Sequence, residues 1–303
     1  MTELSKQILA KYQVRKSRGQ KQAFSEFLQK HIPEMSVQTS KFPLNRNLII
    51  GDVEKAEVIL SAHYDTCARM LVPNFITPMN TFLSICYSFL IFFPIFIIVF
   101  LLNLLLSCVT TDFFIHYIFS MVIAFGIFCF MMVGPANKHT ANDNTSGVIA
   151  LCEIYAKLPE ELKDKVVFVF FDNEEKGLIG SAAFRKEYKK ILSEKIIINM
   201  DCVSDGDHLL FAVSKKARAK YGSAIEEVFQ SEDEKKILIK RAEKTYYPSD
   251  QAGFPHGVAV ASMKYKKGIG YYINRIHTKK DTVMDVRNIE YLSNHVIEFL
   301  RKI

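Results

Sequence analysis

The chain reads as an α/β protein with a largely parallel central sheet, interrupted by a two-helix hairpin of membrane-spanning character. Three observations carry that expectation. Short apolar runs alternate with helical patterns along most of the 303 residues, the order that produces a mainly parallel sheet covered by helices. One run, KVVFVFFDN at 165–173, is almost continuously apolar, as a strand buried on both faces must be. The third is an uneven distribution of charge. Charged residues make up 23% of the whole, an ordinary soluble average. Yet Met70 to Thr111 contains no Asp, Glu, Lys or Arg, and after Asp112 neither does Phe113 to Asn137.

Taken in order, residues 4–12 and 19–31 read as amphipathic helices, then NLII (47–50) and AEVILSAH (56–63) as strands. Two apolar blocks follow, at 81–109 and 113–134. A spanning helix needs ~20 apolar residues, and both blocks satisfy that. Pro94 is the expected kink in the first. Only three residues, TTD, separate the blocks, so they should form an antiparallel hairpin. Helices buried in a soluble core seldom run so long without a polar face. His116 lies near the start of the second block, within reach of the membrane interface, and is given no role. Beyond the hairpin the pattern predicts a helix at 144–158, the strand at 165–173, a helix near 178–190 and strands at 195–201 and 209–214. A helix at 217–230, strands at 258–265 and 269–276, and a final amphipathic helix complete the chain.

A hairpin returns the chain to the side it left. Residues 1–69 and 138–303 should therefore form one domain, with 70–137 inserted. Arg69 and Lys138 flank the hairpin on the domain side, and the far turn carries only Asp112. That asymmetry places the domain in the cytoplasm. The opening MTELSKQILAKYQVRKSRGQ, without an apolar run, agrees with the absence of a cleavable signal. The six cysteines form no CxxC pair, which excludes a zinc ribbon or a disulfide framework and suits a reducing compartment. Removing the single acid of the charge-poor segment from a net +7 leaves +8 on the rest, suited to an anionic bilayer leaflet. Nucleic-acid binding is not supported, because the basic residues are scattered and no recognition motif is present.

In open α/β sheets, ligands bind at the carboxyl ends of the strands. His63 and Asp65 end one strand, Glu174 and Glu175 follow a second, Asp201 ends a third and His277 follows a fourth. Asp143 precedes a helix. Each residue alone has an ordinary explanation, such as a helix cap at Asp143 or a solvated pair at Glu174–Glu175. Together, five carboxylates and two imidazoles converge on one edge, where like charges would repel without a cation. Nitrogen and oxygen donors suit zinc, with manganese or cobalt as substitutes.

The ordered motifs AHYDT, ANDNTSGVIALCE, EEKGLIGS, NMD and HTKKDT resemble those of the zinc aminopeptidases of the M28 type, the co-catalytic metallopeptidases. The resemblance runs from about residue 15 to the end, with the hairpin as an insertion. It implies a three-layer zinc-exopeptidase fold and two Zn²⁺ ions. By position, His63 and Asp201 resemble ligands of one zinc, Glu175 and His277 of the other, and Asp143 the carboxylate that bridges them. Glu174 resembles the general base and Asp65 the carboxylate that orients His63. Tyr246 is a candidate for polarising the tetrahedral intermediate. The Asp143–Asn144 peptide is expected to be cis. Where the family usually has His after Ser-Asp, this chain has Gln251, so substrate preference does not carry over. The implied activity is removal of N-terminal residues from peptides. An aminoacyl cyclotransferase of the glutaminyl-cyclase kind and a non-catalytic binding protein are the alternatives. Between Asp65 and Asp143 lie 77 residues. A loop joining two ligands leaves from the site's own face, so the helices should rise beside the metal pocket. The catalytic mouth would then face the bilayer, and hydrophobic or membrane-associated peptides become candidate substrates.

Overall fold

The computed structural model describes residues 1–41, 44–70 and 72–303. The first two helices are α1 (Glu3–Lys11) and α2 (Arg18–His31). A reciprocal capping box of Ser17 and Gln20 starts α2, supplying partners for backbone donors that the helix leaves free. Then come β1 (Ser36–Lys41), β2 (Leu44–Ile50) and β3 (Val58–His63). The long helices α3 (Thr81–Leu106) and α4 (Phe113–Val133) follow. After them the chain forms α5 (Gly147–Lys157), β4 (Val166–Phe171), α6 (Ile179–Glu187), β5 (Ile196–Met200) and β6 (His208–Val213). It ends with α7 (Lys215–Val228), β7 (Lys236–Arg241), β8 (His256–Lys266), β9 (Gly270–Tyr272) and α8 (Val286–Lys302).

One mixed sheet has the order β1-β2-β4-β3-β5-β8-β6-β7, with β9 added to β8. Its four middle strands, β4, β3, β5 and β8, are mutually parallel, as the sequence predicts. β2 and β6 join this block antiparallel. Period-two geometry splits β4 between two cores. Val166, Phe168 and Phe170 face a large cluster with α1, α2, α5 and α8, whereas Val167, Val169 and Phe171 pack with Phe184 of α6 and Phe254. The result is a sheet between two helical layers.

Two strands were not anticipated. β1 is almost wholly polar and pairs with β2 alone at one edge of the sheet. β7 is a half-exposed strand at the other edge. Edge strands need bury little, so they lack the hydrophobic signature of the central ones. The strand expected at 269–276 shrinks to β9, because the chain turns there toward His277. The first apolar helix stops at Leu106, not 109, since Ser107 to Val109 form the turn into the hairpin loop. Pro94 lies inside α3 without interrupting it.

α3 and α4 are long and apolar enough to cross a membrane, and neither is buried against the rest of the protein. Phe82, Phe89, Phe96, Phe114 and Phe125 are all more than two-thirds exposed. A buried soluble helix pair would not leave them so. The two helices are tied by polar groups at their far end. Asn103 Nδ2 donates to Ser120 Oγ at 2.8 Å, and His116 Nδ1 lies 2.8 Å from Asn103 Oδ1. His116 thus joins the helices to each other.

Candidate metal centre

The parallel block places every motif of the sequence at one sheet edge. β3 delivers His63, the loop after β4 delivers Glu174 and Glu175, and Asp201 directly follows β5. Asp143 enters from the turn before α5. That turn is pressed hard against the sheet. A Cβ on Gly147 would lie 2.2 Å from the carbonyl oxygen of Met200, so only glycine permits this approach. Asn144 completes the fastening. Its Nδ2 donates to Met200 O at 3.0 Å, and its Oδ1 accepts from the Cys202 and Gly147 amides. The Asp143–Asn144 peptide is cis, as expected. Asn173, Cys202 and His277 adopt left-handed backbone angles without being glycine, and all three are at or beside site residues. Such strained positions gather where a site demands a direction that regular structure does not supply.

Asp143 stands at the centre. Its Oδ1 is 3.4 Å from His63 Nε2, and its Oδ2 is 3.0 Å from His277 Nε2. His63 Nε2 also lies 3.5 Å from Asp201 Oδ1, and His277 Nε2 lies 3.4 Å from Glu175 Oε2. Three of these four separations exceed the usual N–H···O range. Two donors bound to one tetrahedral zinc lie about 3.3–3.5 Å apart, which is the spacing found. Two further features fit a cation. The ligand atoms of His63, Asp143 and Asp201 all lie within 4.8 Å of one another. Among the described residues, Asp201 Oδ1 and Glu175 Oε1 are buried without a hydrogen-bond partner, a costly condition for a carboxylate. Burial alone would lower the pKa of His277, but Glu175 and Asp143 outweigh it and push it up to about 9. Burial and neighbouring negative charge raise Glu174 well above the usual carboxylate range.

Asp65 does more than expected. His63 Nδ1 lies 3.1 Å from the Asp65 carbonyl oxygen and 3.6 Å from its carboxylate. The Asp65 carboxylate instead accepts from the backbone amides of Glu174 and Glu175, at 2.9 and 3.3 Å. It therefore sets the imidazole through its carbonyl and the Glu174–Glu175 loop through its side chain.

Tyr246 is not drawn into the cluster. It is 54% exposed and lies beside Thr81, Ser84 and Ile85 of α3. Its neighbour Tyr247 is buried and donates its hydroxyl to the Asp201 carbonyl at 3.0 Å. Gln251 is buried in an amide network, accepting from Asn199 Nδ2 and donating to the Tyr247 carbonyl.

Two carboxylates escaped the sequence reading. Asp250 is buried with neither oxygen hydrogen-bonded among the described residues, and its charge helps raise Glu174. Asp281, inside the motif HTKKDT, accepts from the backbone amides of Asn142 and Asp143 at 2.7 and 3.0 Å. It thereby orients the central carboxylate. Asp281→Ala is expected to weaken zinc binding by about 10–100-fold, measured by competition with a chelator; unchanged affinity would remove Asp281 from this role.

An α/β sheet with this donor set at its carboxyl edge has the arrangement of a metal-dependent hydrolase of the zinc-exopeptidase type. The profile of peptidase family M28 matches residues 127–298, more than half of the chain. The chain belongs to that family. The match begins inside α4 and includes Asp143, Glu174, Glu175, Asp201 and His277. His63 and Asp65 precede it and reach the site through the pairing of β3 with β4 and β5. No curated protein sequence matches the chain. Among solved structures, the fold resembles the LapA aminopeptidase of Legionella pneumophila, with 12% identity and a TM-score of 0.55 over 98% of this chain and 69% of that one. It also resembles glutaminyl cyclase of Porphyromonas gingivalis, with 15% identity and a TM-score of 0.56 over 99% and 95%. A Zn-dependent exopeptidase from Parabacteroides distasonis matches with 14% identity and a TM-score of 0.55 over 98% and 94%. At such identities the likeness speaks for the fold.

Proposed function

We propose that the protein is a membrane-anchored di-zinc aminopeptidase whose single catalytic domain, residues 1–69 with 138–303, faces the cytoplasm. The observation that carries this reading is the position of Asp143, one oxygen toward His63 and the other toward His277. It divides the donors into two sets that share one carboxylate. His63 and Asp201 would hold one ion, and Glu175 and His277 the other. Zinc bound there supplies Lewis acidity that polarises a peptide carbonyl and acidifies water. Glu174 is left free of both sets, next to His63, to accept the proton of the attacking water and return it to the leaving amine. Asp65 fixes the backbone that aims Glu174, and Asp281 fixes the backbone that aims Asp143.

The hairpin root supports a role for the membrane in substrate delivery. The Met70 amide donates to the His277 carbonyl at 2.8 Å, and the Asn137 amide donates to the Cys67 carbonyl at 3.2 Å. One arm of the hairpin is thus hydrogen-bonded to a site residue, and the two arms to each other beside it. An apolar groove of about 870 Å³ runs between α3 and α4 and reaches Tyr246. A hydrophobic or membrane-associated peptide is the substrate class these features suit. The test uses detergent-purified protein, with zinc content and hydrolysis of aminoacyl substrates measured together, free and tethered to liposomes. About two zincs per chain with faster cleavage of tethered substrates is the expected result. Absence of bound metal would end the enzymatic reading, and equal rates on free and tethered substrates would end the membrane-substrate reading. Labelling of a cysteine placed at 110–112 from outside intact cells tests the orientation.

The resemblance to a glutaminyl cyclase along nearly the whole of both chains favours one second reading, aminoacyl cyclisation. Mass spectrometry on a peptide with N-terminal glutamine separates the two. A free amino acid identifies the peptidase, and loss of ammonia without chain shortening identifies the cyclase.

A further inference from the structure

Cys67 stands four residues after His63, where the chain turns toward the hairpin. Its side chain is buried, with 2% of its surface exposed. Its sulfur, a Glu175 carboxylate oxygen and a His277 ring nitrogen all lie within 4.8 Å of one another. These donors come from three separate segments: the hairpin root, the loop after β4 and the loop after β9. Backbone bonds hold the sulfur in place. The Cys67 carbonyl accepts from the Asn137 amide, Ala68 bridges to Ala136, and Met70 bonds to the carbonyl of His277 itself. Glu175, a member of the trio, has its Oε1 buried without a hydrogen-bond partner among the described residues.

We propose that Cys67 is a thiolate ligand of the metal held by Glu175 and His277. The inference rests on the two-centre reading above. A thiolate sulfur and an imidazole nitrogen on one tetrahedral zinc lie about 3.6 Å apart, so the trio needs to contract by little more than about 1 Å. On binding, the thiol proton leaves to solvent and a sulfur–metal bond forms, with no change of oxidation state. The two centres then differ in kind. Asp143, Glu175, His277 and Cys67 give one ion four protein donors, a closed set like that of a structural zinc. His63, Asp143 and Asp201 give the other ion three, leaving its remaining position for water and substrate. The softer, closed centre also ties the hairpin root to the catalytic domain.

The test is zinc K-edge X-ray absorption on the full-length protein in detergent. Zinc–sulfur scattering at about 2.3 Å, distinct from the nitrogen and oxygen shell at about 2.0–2.1 Å, is expected in the wild type. It should be lost in Cys67→Ser and retained in Cys202→Ser, which removes the other buried thiol next to a ligand. With cobalt in place of zinc, an intense near-ultraviolet thiolate-to-cobalt band should follow the same pattern. A wild-type spectrum with bound zinc but only nitrogen and oxygen scatterers overturns the assignment and leaves the two-centre reading intact. A sulfur shell that survives Cys67→Ser, or disappears in Cys202→Ser, overturns it too. If Cys67→Ser does not fold, the wild type and Cys202→Ser still decide. A protein that takes up neither zinc nor cobalt overturns both readings.

Discussion

Glu174→Gln is expected to lower kcat by about 10²–10⁴-fold, the usual contribution of a general base, while bound metal stays unchanged. The argument rests on what the substitution preserves. Glutamine keeps the size of the side chain, and the loop is held through the Glu174 and Glu175 backbone amides on Asp65, which the change does not touch. None of the close carboxylate–imidazole pairs that define the two donor sets involves Glu174. Only the ability to take up a proton is lost. Burial in the site raises its affinity for a proton. Elemental analysis alongside steady-state kinetics gives the result. Full activity in the variant would move the base elsewhere, and loss of metal in proportion to activity would make Glu174 a ligand.

Asp143→Ala should abolish turnover by removing the carboxylate that both centres share. Asp201→Ala and Glu175→Ala, each confined to one set, should each impair a single centre. The stability readout separates this from simple damage. Removing Asp143 leaves the His63 and His277 imidazoles without the carboxylate that they hold well below its usual range, so the metal-free variant should melt lower than the metal-free wild type. It also loses the response to zinc. A ligand present at a hundred times its Kd stabilises by about 2.7 kcal/mol per site, so zinc should raise the Tm of the wild type clearly and that of Asp143→Ala little or not at all. An equal zinc-induced shift in both proteins would show that Asp143 is not the shared ligand.

Much of this site could be read in the chain. His63, Glu175, Asp201 and His277 lie where apolar runs end and Asp143 just before a helix begins, and strand ends along one edge of a parallel block must be neighbours. Asp281 was hidden because its work is done on backbone amides 139 and 138 positions away, and no spacing rule reports such a bond. Tyr247 was hidden by its neighbour. A segment with no helical or strand repeat gives no hint of which of two adjacent tyrosines faces inward. β1 and β7 were missed because edge strands carry polar and charged residues that resemble loops.

The sequence by itself determined the parallel strands, the hairpin and a set of imidazole and carboxylate donors at one sheet edge. Each follows from a local regularity: a short, almost continuously apolar run, a long stretch without charge, or an ionisable residue at the end of an apolar run. Tertiary structure decided the rest. It placed one Asp143 oxygen toward each imidazole, separated Tyr246 from Tyr247, turned Asp65 toward the amides of Glu174 and Glu175, and brought Cys67 beside Glu175 and His277. These outcomes depend on where side chains from distant segments come within a few ångströms of one another. That is set by the packing of β3, β4 and β5 with the glycine-tight turn before α5, and no local pattern encodes it.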